Sequence, residues 1–287
     1  MTKDFEEKWA THPIAIERYV DFKALDDEDI LLRRFTDAMG WTSFLQIRER
    51  NYPKLIKAFY FQVETLPDKN LFVSFIKGVK ISLTPQVIHK NLGLLADGSS
   101  VHGDSWDIDL RLDLVQECQK LFQPNTRGHT SANLEPIPKM LNLLSQHSLI
   151  PRRGNQGNVT KNDLMIIHHI FKGKRLSLPH VIIQHMIVAA RDTNKKHFLP
   201  YGMMLTKIFL KKEVPLDGEA LIFEISKFTP KNISHMKTEA TQMKDAYAPP
   251  MTLTKRKRSE SEHEITAPKA SSAHSSKHTP ERSAEHP

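Results

Sequence analysis

The side chains in this 287-residue sequence that could suggest a metal are His168, His169, His180 and His185. His180 and His185 lie five positions apart, about 500° around a helix, and so fall on different faces. Neither an HExxH pattern nor a cysteine-containing zinc pattern occurs. His185, between Ile183 and Met186, therefore reads as a hydrogen-bonded core histidine. The chain has one cysteine, Cys118, set among Leu114, Val115, Leu121 and Phe122 at helical spacing. It cannot form an internal disulfide, and it reads as core filler rather than as a nucleophile. Asp104, Asp107, Asp109 and Glu117 are the acids that could hold divalent ions. A two-metal nuclease or transposase needs three carboxylates placed on a mostly stranded core. These four instead surround a helix start and read as capping and solvation. Hydrolase GxSxG and dinucleotide GxGxxG signatures are absent. The expectation is a protein that is not an enzyme and uses neither metal nor cofactor.

Cations offer a different chemistry. The run Arg152-Arg153-Gly154-Asn155-Gln156-Gly157-Asn158 invites a phosphate-loop reading, yet a P-loop requires GxxxxGK[ST], and here Asn158 and Val159 follow Gly157. It reads as a basic turn. If a loop touches a phosphate backbone, Arg152 and Arg153 are the candidates, with Lys174 and Arg175 beside Gly173. Charge is unevenly spread. Residues 1–40 hold 6 Lys+Arg against 10 Asp+Glu, residues 41–230 hold 25 against 16, and residues 231–287 hold 10 against 7. The basic middle and tail would attract nucleic acid without reading sequence, and a solvated basic surface is the plainer alternative. Lys255-Arg256-Lys257-Arg258 suits a nuclear import receptor. Ser259 and Ser261 could tune it by phosphorylation. The expected location is nuclear, otherwise cytoplasmic. No apolar run approaches the roughly 18 residues needed to cross a bilayer, and Met1–Ala10 lacks the apolar core of a signal peptide.

The elements that position these residues follow from periodicity and stop signals. Asp26-Asp27-Glu28-Asp29 precedes Ile30, Leu31, Leu32, Phe35 and Met39, with Gly40 beyond, which predicts a helix with a dipole-matched acidic start. Tyr52-Pro53 opens a second helix. Leu71 to Ile76 and Val79 to Leu83, joined by Lys77-Gly78, read as a β-hairpin. Thr84-Pro85 then starts a short helix that stops at Gly93. A loop over 96–107 leads to a helix around Leu110–Phe122, and a further helix through Met140 and Leu144 ends near Ile150-Pro151. Thr160 and Asp163 stand at capping-box spacing before Leu164–Phe171. Helices follow at Leu178-Pro179 and Pro200-Tyr201-Gly202, and these three helices read as the core of the second half.

Several segments carry a resemblance in shared order: Trp41-Thr42-Ser43-Phe44, Asn51-Tyr52-Pro53-Lys54-Leu55-Ile56-Lys57-Ala58-Phe59-Tyr60, and Phe75-Ile76-Lys77-Gly78-Val79-Lys80-Ile81. They continue with Leu92-Gly93-Leu94, Leu149-Ile150-Pro151-Arg152, Phe171-Lys172-Gly173-Lys174-Arg175-Leu176 and Leu199-Pro200-Tyr201-Gly202. Together they resemble the putative plant transposon protein domain, a module of mobile-element ancestry. The resemblance implies no catalytic residues. The single cysteine rules out the CCHC knuckle by which retroelement capsid precursors hold nucleic acid. The expected fold is mainly α (α+β), a helical domain with one small hairpin. It divides into an acidic helical segment over 1–40, the resembling domain over 41–227 and a disordered basic tail over 228–287. The expected role is a non-catalytic interaction module that binds nucleic acid or a protein partner in the nucleus. The alternatives are a nuclease or transposase with an unrecognised carboxylate site, and a degenerate element fragment without selected function.

Overall fold

The computed structural model describes residues 9–152, 154, 156–192, 194 and 198–236, together with Lys3 and Phe5. The chain runs through β1 (Arg18–Val20), α1 (Phe22–Asp26), α2 (Leu32–Met39), α3 (Thr42–Leu45) and α4 (Pro53–Phe61). Next come β2 (Glu64–Leu66), β3 (Leu71–Ile76), β4 (Val79–Leu83) and α5 (Pro85–Leu92). The second half holds α6 (Trp106–Asp109), α7 (Leu114–Gln119), α8 (Pro136–Leu144), α9 (Lys161–Lys172), α10 (Leu178–Arg191), α11 (Gly202–Lys211) and β5 (Ser226–Phe228). The fold is thus mainly helical with a small antiparallel sheet, as the residue patterns predict.

The hairpin has the expected register, with Ile76 opposite Val79 and Phe72 opposite Leu83. Lys77 (φ 48°) and Gly78 (φ 81°) both occupy the left-handed region, which a two-residue turn needs to match strand twist. Its buried face meets α4, where Phe59 stacks on Phe72 at 5.2 Å, and α11 closes over α4 with Phe209 at 5.8 Å from Phe59. Elsewhere α8 packs on α9 and α10 on α5. Thr160 and Asp163 form the capping box of α9, in which each side chain bonds the other's backbone.

Local patterns misread four places. The acidic run does not start a helix: α1 ends at Asp26, Asp29 has φ 58°, and the first turn of α2 holds no acid. Buried Phe22 and Leu25 draw the preceding residues into a helix of their own, capped by Asp21. The acids are then left as a connection tied by Lys23–Asp27 and Arg33–Asp26 pairs, each 2.8 Å. The helix expected around Leu110–Phe122 is only α7, Leu114–Gln119, and a separate short helix, α6, forms at Trp106–Asp109, starting inside the stretch expected to be a loop. Trp106, fully buried, is anchored by its Nε1–H to the Lys161 carbonyl at 2.8 Å, while Asp113 accepts from the Val115 and Gln116 amides and so restarts the helix. The sheet has a third strand, β2, which pairs with β3. Finally, β5 runs through Lys227 and pairs in parallel with β1, followed by a 3-10 helix over Pro230–Met236. Phe228 and Ile233 belong to the core. The expectation of disorder lies, for residues 237–287, outside the described residues. Among those described, no helix is long and apolar enough to cross a membrane.

Candidate functional site

The cations singled out by sequence do not meet. Arg152 grips Asp163 through both guanidinium ends, Nη1 to Oδ1 at 2.8 Å and Nη2 to Oδ2 at 2.6 Å. Asp163 is fully buried and also accepts from the Thr160 amide at 2.8 Å and the Ser145 hydroxyl at 2.7 Å. Arg152 is therefore held as the counter-charge of a buried carboxylate. Lys174 and Arg175 lie past the other end of α9, whose 12 residues span about 18 Å. Lys174 is exposed, and Arg175 pairs with Asp97 at 2.6 Å. Arg153 and Lys255–Arg258 lie outside the described residues.

A different group of cations is brought together by the fold. Lys90 near the end of α5, and Lys211 and Lys212 at the end of α11, are exposed. Lys211 Nζ donates to the Asn91 carbonyl, which joins the two helix ends. Among the described residues no carboxylate holds any of the three. The negative ends of two helix dipoles already favour lysines here. Their heads nonetheless remain open to an anion. No motif announces this face, since Lys90 is far from Lys211 in sequence.

The acids and histidines are engaged elsewhere. Asp107 pairs with Lys161 at 3.4 Å. Glu117 faces His168 and Lys172, each at 3.2 Å, and Lys120 at 3.6 Å. Asp109 accepts from the Ser105 hydroxyl at 3.3 Å, and Asp104 offers its carbonyl to Lys161. Among the described residues no three His, Cys, Asp or Glu side chains gather as a metal group. Burial pushes the Cys118 thiol up to about 11, which keeps it protonated. His185 lies against Tyr201, with Nδ1 2.9 Å from the phenol oxygen. The phenol donates to the Leu149 carbonyl at 3.0 Å, so His185 Nδ1–H donates to it. Burial lowers His185 to about 3 and keeps it neutral.

A second polar cluster surrounds the start of α11. Tyr201, at φ 62°, turns the chain there, and the Tyr60 hydroxyl donates to the Pro200 carbonyl at 2.9 Å. Glu17 reaches across from the N-terminal segment, its Oε2 accepting from the Met203 amide at 3.0 Å. Sequence reasoning missed Glu17 altogether, because its partners lie 186 positions away.

The family of the putative plant retrotransposon-related domain matches residues 37–215. No curated protein and no solved structure matches the chain.

Proposed function

The chain belongs to that plant retrotransposon-related family, and on this premise we propose that it is a non-catalytic module that binds the phosphate backbone of nucleic acid in the nucleus. The observation that carries the reading is the meeting of the ends of α5 and α11, where Lys211 contacts the Asn91 carbonyl and the exposed Lys90 and Lys212 are the chain neighbours of Asn91 and Lys211, none of the three lysines having a carboxylate partner among the described residues. Exposed lysines act as point charges that displace counterions from phosphates without reading bases. Engagement of Asp107 and Glu117 by cations supports the non-catalytic side of the proposal. Lys255–Arg258 would supply entry to the nucleus through an import receptor.

Binding of the full chain to duplex and single-stranded nucleic acid across a salt series tests it. The expected outcome is a steep salt dependence, whose log–log slope on duplex drops by about 0.9 for each of Lys90→Gln, Lys211→Gln and Lys212→Gln that removes a phosphate contact. An unchanged slope in the triple variant would reject this face. A magnesium-dependent cleavage lost on Asp107→Asn would reject the non-catalytic reading.

A further inference from the structure

We draw no further inference here: the strongest candidate, the groove of about 350 Å³ between α7 and the loop that follows it, from Leu114 to His129, has no acid, lysine or arginine among its walls, and nothing in the structure shows what covers it.

Discussion

Asp163 accepts hydrogen bonds from the backbone of Thr160, the hydroxyl of Ser145 and the guanidinium of Arg152, and its side chain is fully buried. A carboxylate in that position is tolerated only while its donors are in place, because removing one partner leaves a charge in a poorly solvating interior. Arg152→Met should therefore destabilise the protein by about 3 kcal/mol, measured as a lower midpoint in urea. Pairing it with Asp163→Asn should recover part of that loss. If Arg152→Met left stability intact while weakening nucleic-acid binding, Arg152 would belong to the interface. The contrast with Lys211 is one of partners: Lys211 Nζ meets a backbone carbonyl, which leaves its charge uncompensated. Both residues are plain cations in the sequence, so no pattern distinguishes the buried counter-charge from the open one.

Elements whose signals are local were legible, and elements made by distant pairing were not. Thr84, whose hydroxyl accepts from the Val87 amide at 3.2 Å, and Pro85 announce α5. Thr160 and Asp163 announce α9, and two-residue alternation around Lys77-Gly78 announces the hairpin. The parallel pair β1 and β5 has three residues in each strand, Arg18 aligned with Ser226 and Val20 with Phe228. Strands that short carry no periodicity to detect. Their importance rests on burial, since Phe228 is fully buried. Phe228→Ala should cost about 3–5 kcal/mol in denaturant unfolding, and a chain ending at Lys227 should be less stable than the full chain. A chain unharmed by either change would show that the strand lies on the domain without supporting it.

For the molecule as a whole, buried histidines govern the response to acid. Burial lowers His102, His147 and His169 to about 4 and His185 to about 3. Their unfolded value is 6.5, so between these limits the unfolded chain binds more protons than the folded one. Stability present above pH 6.5 is therefore lost as pH falls toward 4 and below. Glu17 works in the other direction. Its carboxyl rises from 4.5 to about 7, so its contribution is full below pH 4.5 and is lost as pH rises through 7. Thermal unfolding followed across this range should show the midpoint falling on the acid side. Glu17→Gln should remove the decline between pH 4.5 and 7 that Glu17 contributes. A flat acid limb would mean that the histidines are solvated.

The helical character, the hairpin and its turn, and the helix starts at Pro53, Pro85 and Thr160 follow from residue order alone, as does the resemblance to a plant mobile-element family. Each element is encoded within a short window, by side-chain period or by one residue's backbone preference, and the resemblance lies in the shared order of several such windows. Packing of the folded chain settles which charges face water, which are locked inside, and which residues meet across it. Asn91 with Lys211, Arg18 with Ser226 and Glu17 with Met203 are joined by hydrogen bonding or strand pairing between distant segments. Such pairings follow from the packing of the whole core, so no local stretch of residues can specify them.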